Sequence, residues 1–176
     1  MEVIHTSRLR LRMATKDDAL FIQNLYSSED FKRFVGDKQL HTKQDAERYI
    51  EENILTMYRN HGVCLLVVER ISDSTPIGVC GLIKRDQFDA YDIGYGFLPT
   101  FYGCGFGLES SLAIIEYAKK NPQIDELIAI TTSDNIASQK LLSRLGFTYV
   151  KVESKLSDTI DLLLYRIPLI NHETHP

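Results

Sequence analysis

The sequence predicts a mixed α+β fold, with a central, mostly antiparallel sheet of about seven strands and helices on both of its faces. The chain has 176 residues, of which 44% are hydrophobic, so it is long enough for one domain with a normal core. Its segments run in the order strand, two helices, three strands, helix, strand, helix and two strands. Hairpins come first, and a single strand–helix–strand crossover in the middle calls for one parallel pair.

The N-terminal third is predicted to contain one strand and two helices. Residues 9–13 alternate apolar and arginine side chains, which is the period of a half-buried strand. An acidic first turn opens a short amphipathic helix over 17–26. Thr42 is placed to cap a second helix that runs to about Tyr58. The polar stretch 28–41 between the two helices is expected to be irregular.

The remainder of the chain alternates strands with two more helices. Extended runs over 63–69 and 77–83 flank a polar turn, which is a hairpin signal. A third extended run, 92–98, follows another polar turn. The later elements are a helix over 108–120, a strand over 127–132, a helix over 135–145 closed by Gly146, and strands over 147–152 and 162–169. We expect a single domain over residues 1–170, followed by a C-terminal tail over 171–176.

Composition excludes several classes of function. The formal net charge is −4 and no long basic run occurs, which argues against nucleic acid as a partner. The longest apolar runs are far too short for a membrane span, and no paired metal-ligand spacing appears, so neither a membrane nor a metal is expected. Three widely spaced cysteines fit a reduced, cytoplasmic location.

The most informative segment is Tyr102-Gly103-Cys104-Gly105-Phe106-Gly107, between a predicted strand and a predicted helix. Glycine tolerates positive φ, so successive backbone N–H groups can point at one spot. The helix that follows adds the partial positive charge of its N-terminus. Together these features predict a backbone site for a phosphate or pyrophosphate, although the glycines could instead form only a turn.

A dinucleotide site is the nearest rival interpretation of this loop. Its fingerprint is G-x-G-x-x-G, whereas the spacing here is G-x-G-x-G. The acidic pair Asp125 and Glu126 lies about 20 residues downstream, but it falls at the start of a strand, where the ribose-binding acid belongs at the end. No G-K-[ST] follows the glycines, so a P-loop is excluded.

Three segments together resemble the GNAT acyltransferase superfamily, and within it the RimJ/RimL branch of ribosomal-protein N-acetyltransferases. The opening run Thr6-Ser7-Arg8-Leu9-Arg10-Leu11-Arg12 is similar to the first strand of that branch. Residues 93–107 with Glu109 match its cofactor loop, except that Tyr102 stands where the general family pattern has Gln or Arg. The last helix and strand match at Asn135, Ser138, Leu141 and Gly146-Phe147.

The resemblance implies a GNAT-like fold and acetyl-CoA as the cosubstrate. In this family the strand before the loop, here 91–98, splays from its neighbour and offers backbone groups to the pantetheine arm; Gly94 and Gly96 would ease a close approach. The loop amides would accept the pyrophosphate. The implied cofactor-binding residues are Phe97, Leu98, Gly103, Cys104, Gly105, Phe106, Gly107, Leu108, Asn135 and Ser138.

The resemblance also implies direct transfer of acetyl to an amine, with three candidate catalytic residues. Ser138 inherits the role of proton donor to the leaving thiolate, because the tyrosine that other branches use is replaced here by Leu142. A small residue packing under the cofactor is the alternative for Ser138. Asn135 would lie near the pantetheine and the acceptor, or cap its helix, or do both. Asp92, or a chain of waters, would deprotonate the amine, unless Asp92 is merely an exposed charge at a strand end.

The resemblance leaves two classes of acceptor, a peptide N-terminus such as that of a ribosomal protein and a small-molecule amine. The acceptor surface is expected from residues 28–41 and the second helix, whose many acids favour a cationic amine. A non-catalytic acyl-CoA-binding sensor is the main alternative function, and a dinucleotide-binding enzyme is a third. The oligomeric state cannot be read from the sequence, and a homodimer is one possibility.

Overall fold

A computed structural model describes residues 1–153 and 160–169, and they form one eight-stranded sheet with helices. The strands are β1 Ile4–His5, β2 Leu9–Arg12, β3 Leu65–Arg70, β4 Thr75–Lys84, β5 Tyr91–Phe97, β6 Glu126–Thr132, β7 Thr148–Glu153 and β8 Leu162–Pro168. The helices are α1 Ala19–Tyr26, α2 Glu29–Phe34, α3 Lys43–Tyr49, α4 Thr56–His61, α5 Phe106–Lys119 and α6 Ile136–Leu145.

The sheet has the predicted mixed topology. Its strand order is β1-β2-β3-β4-β5-β6-β8-β7, and only the β5–β6 pair is parallel. Helix α5 connects these two strands, which is the predicted crossover. Strand β1, a two-residue strand at the sheet edge, raises the number of strands from about seven to eight. The α+β fold class is confirmed.

Helices cover both faces of the sheet, as expected. Successive residues of a strand point to opposite faces. Cys80 of β4 faces α5, where its Sγ lies 3.7 Å from the Ser111 hydroxyl, and α6 packs beside α5. Val79 faces the other way, towards a cavity that is also lined by Ile54 and Met57 of the α3–α4 region. The crossover helix α5 and the N-terminal helices therefore lie on opposite faces of the sheet.

Two parts of the N-terminal region differ from the prediction. The stretch expected to be irregular contains α2, whose Ser28 side chain accepts a hydrogen bond from the Phe31 amide and whose Phe31 is buried. Six residues are too few to show a helical period in the sequence, which is why the helix was missed. The second helix is capped by Thr42 as predicted, but it is interrupted by a π-helical segment, Ile50–Leu55, and ends at His61.

The sequence predicts that the domain ends at residue 170. The predicted tail, 171–176, lies outside the described residues, so the domain limits stay a prediction. Within the described ranges, no helix is both long enough and apolar enough to cross a bilayer.

Candidate active site

The glycine loop forms the N-terminus of α5. Gly103 and Gly105 have φ values of +73° and +80°, which L side chains rarely adopt, and Gly105 is the N-cap residue. The first amides of a helix have no intrahelical acceptor, so those of Phe106 and Gly107 remain donors for a bound anion. Tyr102, at the position where the family pattern has Gln or Arg, is 49% exposed. Burial and a hydrogen bond with Asp30 raise the pKa of its hydroxyl to about 12.

The loop is fixed to the N-terminal strands through one carboxylate. Glu109 accepts hydrogen bonds from the Thr6 hydroxyl at 2.7 Å, the Arg8 amide at 2.8 Å and the Arg8 guanidinium at 2.7 Å. Arg8 also donates to the Cys104 carbonyl at 3.0 Å and lies over the Phe106 ring. Burial raises the pKa of Glu109, but these hydrogen bonds outweigh it and hold the pKa below its usual value.

Glu109→Ala should destabilise the fold and loosen the loop. It removes the acceptor of three donors, and we expect the free energy of unfolding to fall by about 2 kcal/mol. For a domain of this size that corresponds to a fall in Tm of about 4–8 °C. Thermal unfolding measures the change. Glu116→Ala is the matched control, because Glu116 lies on the same helix and pairs only at the surface with Lys119. Equal shifts for the two variants would contradict this role for Glu109.

Strand β5 has one paired and one open edge. All of its residues, Tyr91–Phe97, pair with β4, whereas only Tyr91 and Asp92 pair with β6. Beyond Asp92 the two parallel strands separate, so the backbone groups of residues 93–97 on that side have no ladder partner. An extended ligand that carries amides can hydrogen-bond to such an edge.

A cavity of about 340 Å³ lies beside this edge and the glycine loop. Among its lining residues are seven of the predicted cofactor-binding residues: Phe97, Gly103, Gly105, Phe106, Gly107, Asn135 and Ser138. The other three do not line it. The Leu98 amide donates to the Ile77 carbonyl, Cys104 is exposed, and Leu108 packs against the core. We call this cavity the cofactor groove.

Gly94 and Gly96 of β5 leave space for neighbouring side chains as well as for a ligand. A Cβ at Gly96 would lie 2.8 Å from the ring of Phe31, so this ring already occupies the space above Gly96. A Cβ at Gly94 would meet the side chains of Ile83 and Leu65 at 3.0 and 3.1 Å. Neither glycine forms a bulge, since the pairing of β5 with β4 is regular. Helix α2 therefore packs directly against β5, the strand that borders the cofactor groove.

A second cavity, of about 470 Å³, lies between α1–α4 and the sheet. It is lined by residues from the regions expected to hold the acceptor, among them Phe34, Lys38, Tyr49 and Asn53. None of the acids of those regions that suggested a cationic acceptor is among its lining residues, although one of them, Asp30, lines the cofactor groove; these acids are Asp30, Asp37, Glu47, Glu51 and Glu52. We call it the acceptor cavity. It meets the cofactor groove at six shared residues: Phe31, Phe34, Val35, Tyr95, Asn135 and Ser138.

Ser138 lies at this junction and is hydrogen-bonded to Tyr95, with 2.7 Å between the hydroxyl oxygens. Burial raises the pKa of Tyr95 well above its usual value. The sequence interpretation missed Tyr95, because strand alternation placed it on the face opposite Asp92. Tyr95 belongs to the segment 93–107 that matches the family's cofactor loop, and this match was the signal in the sequence that could have identified it. Leu142, at the position of the tyrosine in other branches, is buried in the core.

Asn135 caps α6, as one of its two interpretations required. Its Oδ1 accepts a hydrogen bond from the Ser138 amide at 3.1 Å. The side-chain amide lines both cavities. Capping fixes the first turn of α6 and with it the position of Ser138, so the two residues form one unit at the junction.

Asp92 is a buried carboxylate and not an exposed strand-end charge. It is 3% exposed and lies at the point where β5 and β6 separate. Its Oδ2 accepts from the Arg85 guanidinium at 2.6 Å, whereas its Oδ1 lacks a hydrogen bond of normal geometry within the described chain. Burial raises the pKa of Asp92 to about 6, against the smaller opposing effects of Arg85 and the Ile130 backbone. Asp92 lines the acceptor cavity, where its carboxylate can act as a weak base.

Comparisons with known proteins agree with this geometry. The family model of the acetyltransferase (GNAT) domain matches residues 8–148. YoaA, an uncharacterized N-acetyltransferase of Bacillus subtilis (strain 168), is 26% identical over 146 residues, which are 82% of each chain. A GNAT-family acetyltransferase from Bacillus anthracis superposes with a TM-score of 0.80 at 19% identity, covering 96% of this chain and 99% of that one. RimL, a ribosomal L7/L12 α-N-protein acetyltransferase in complex with coenzyme A, gives 0.82 at 17% identity, covering 95% and 98%.

The family match covers most of the chain and includes the glycine loop, the open strand edge and the Asn135–Ser138 unit. The solved structures share the fold along nearly the whole length. The chain belongs to the GNAT acetyltransferase family and is an N-acetyltransferase.

Proposed function

We propose that the protein transfers an acetyl group from acetyl-CoA directly to a primary amine, with both substrates bound at once. The observation that carries this proposal is the junction of two cavities at Tyr95, Asn135 and Ser138. One cavity ends at a phosphate-binding loop, and the other contains a buried base. Holding two reactants in adjoining cavities supplies much of the rate of a two-substrate reaction.

Several features support coenzyme A as the occupant of the cofactor groove. The α5 N-terminus and its glycines suit a pyrophosphate, and the unpaired edge of β5 suits the amides of a pantetheine arm. RimL, which shares the fold and belongs to the RimJ/RimL branch that the sequence resembles, was solved with coenzyme A. That protein acts on ribosomal L7/L12, so a protein N-terminus is one candidate acceptor for this chain, beside small-molecule amines.

Different residues near the junction carry out the two proton transfers, from the amine and to the sulfur. Acetyl-CoA, when bound, supplies the acetyl group as a thioester. Asp92 takes one proton from the acceptor ammonium, either directly or through a water. Ser138 gives its hydroxyl proton to the sulfur as the carbon–sulfur bond breaks and the carbon–nitrogen bond forms, and the second proton lost by the nitrogen replaces it on the Ser138 oxygen. Tyr95, hydrogen-bonded to Ser138, orients that hydroxyl and can return the proton to it. The phenol of this site thus comes from β5 and not from α6, and it acts on the leaving group through Ser138.

Calorimetric titration with acetyl-CoA tests the cofactor, with NAD and NADP as controls. We expect selective micromolar binding of acetyl-CoA. Absence of acetyl-CoA binding, or binding of a dinucleotide instead, would sink the proposal. A release assay on a panel of primary amines then separates an enzyme from a sensor, because a sensor binds acetyl-CoA and transfers nothing.

Ser138→Ala should lower kcat by about 10²-fold and leave the affinity for acetyl-CoA nearly unchanged, since it removes only the proton donor. Tyr95→Phe should have a smaller effect in the same direction, and the double variant should be no worse than Ser138→Ala, because the two hydroxyls act in series. Steady-state kinetics and titration measure these effects. Ser143→Ala, on the same helix but outside both cavities, is the control. Unchanged turnover in Ser138→Ala would remove Ser138 from the mechanism.

A further inference from the structure

The acceptor cavity has an excess of positive charge. Its charged lining residues are Lys38, Arg85 and Asp92. Arg85 and Asp92 are paired at 2.6 Å, with side chains 37% and 4% exposed. Lys38 forms no hydrogen bond or ion pair with any residue of the described ranges. The lining therefore contains two cations and one carboxylate, and Lys38 has no counter-ion among the residues that the structure describes.

Lys38 lies close enough to Arg85 to feel its charge. Lys38 is an exposed residue that also lines the cavity, where burial and the nearby charge of Arg85 lower the pKa of its ammonium. Lys38 and Arg85 line the same cavity, and an anion bound near both would be attracted by each of them. No carboxylate of the described chain occupies that place.

Polar and apolar surface contribute about equally to the cavity wall. Three rings pack together along it, with Tyr26 centred 4.1 Å from Phe31 and 5.0 Å from Tyr49. Aliphatic side chains continue the surface at Ile54, Met57, Leu65, Val79 and Ile83. Asp92 is also a lining residue of this cavity, and its carboxylate can accept from an ammonium. A volume of about 470 Å³ is in the range of small-molecule sites.

We propose that the acceptor of this site carries an anionic group, a carboxylate, that Lys38 and Arg85 hold while its primary amine faces Asp92. The side chain of the acceptor is apolar or aromatic, to match the rings and aliphatic side chains of the wall. This inference rests on the proposed function, and it names the class of acceptor: an apolar amino acid, or a short peptide with an acidic side chain. Both sources share an amine and a carboxylate, and they differ in the distance between the two groups.

The test is a calorimetric titration of the CoA-saturated protein with matched ligands. The free acids L-leucine and L-phenylalanine are compared with L-leucinamide and L-phenylalaninamide, which keep the amine and the apolar body but lack the negative charge. A Leu-Asp dipeptide with an amidated C-terminus provides the peptide arm. We expect the acids, or the dipeptide, to bind at least about tenfold more tightly than the amides, because a charge-assisted contact is lost.

Lys38→Gln should remove most of this preference and leave CoA binding unchanged. Lys32→Gln is the matched control, since Lys32 is an exposed lysine of α2 that lines neither cavity. Equal binding of acids and amides, tighter binding of amides, no binding of any acid ligand, or an unchanged preference in Lys38→Gln each overturns the inference.

Failure of the inference differs from failure of the proposed function. Acetyl transfer to amines without any preference for a carboxylate refutes the inference and keeps the transferase. Preferential binding of acids without acetyl transfer refutes the proposed transfer and keeps the anion site. The binding and turnover measurements are therefore made on the same ligands.

Discussion

Asp92→Asn is expected to abolish most acetyl transfer while making the folded protein more stable at pH 8. Asparagine preserves the shape of the side chain but cannot accept a proton from the acceptor ammonium. Loss of a positioned base lowers turnover by about 10²–10⁴-fold. The pKa of Asp92 is about 6, so wild-type kcat/KM should rise with pH through this value as the base ionises. That rise should be absent in the variant.

The gain in stability follows from the direction of the same pKa shift. Burial raises the pKa of Asp92 from 3.8 to about 6, and keeping the carboxylate ionised in the folded state then costs about 3 kcal/mol. The cost is absent below about pH 4, develops as the pH rises towards 6 and is complete at pH 8. Asparagine does not ionise, so the stabilities of variant and wild type should diverge over this interval.

Chemical unfolding at pH 4 and pH 8, together with a pH–rate profile, checks both parts. Asp86→Asn is the control, since Asp86 is an exposed carboxylate on the same β4–β5 turn. Retention of near-normal turnover by Asp92→Asn would mean that a water chain alone serves as the base. A variant less stable than wild type at pH 8 would mean that the Arg85 ion pair outweighs the cost of burial.

Gly81→Ala should cause the largest loss of stability of any single methyl addition in the sheet. Gly81 lies in β4 opposite Leu65 of β3, and a Cβ built there would be 2.1 Å from the Cys64 carbonyl oxygen. Backbone atoms of a central strand cannot move aside as a side chain can. We expect a loss of about 3 kcal/mol or more, which is a fall in Tm of about 10 °C for this length.

Gly94→Ala is the matched control for this effect. Gly94 is the cross-strand partner of Gly81, and its Cβ would meet only the side-chain ends of Ile83 and Leu65. Those atoms can shift by a few tenths of an ångström, so the loss should be clearly smaller. Thermal unfolding of the two variants measures the difference. Equal Tm values would show that the β3–β4 pair is able to relax around Gly81.

The sequence predicted most of the fold because its elements carry local signals. The strands alternate, the hairpin turn is polar, and Thr42 and Gly146 mark the ends of their helices. The missed features lack such signals. Helix α2 is too short to show a period, and the π-helical segment keeps the helical character of its surroundings with no distinctive residue type. The short edge strand β1 has only two residues.

The site was predictable where backbone conformation dictates residue type. Positive φ values require glycine at Gly103 and Gly105, so the loop could be identified from sequence alone. The acceptor side depends on contacts between distant segments. Lys38 and Arg85 occur in polar turns that look solvated in the sequence, and only the folded chain brings them to one cavity. The hydrogen bond between Tyr95 and Ser138 likewise joins residues 43 positions apart.

The unpaired edge of β5 links the amount of this protein in a cell to the supply of its proposed ligand. A ligand that binds only the folded chain stabilises it by RT ln(1 + [L]/Kd), about 2.7 kcal/mol at a hundredfold excess over Kd. Folded proteins have small stability margins, and chains that unfold transiently are removed by proteases. A protein whose β5 edge binds acetyl-CoA would thus be degraded slowly when acetyl-CoA is abundant and rapidly when it is scarce. The cellular level of the protein would then follow the acyl-CoA pool.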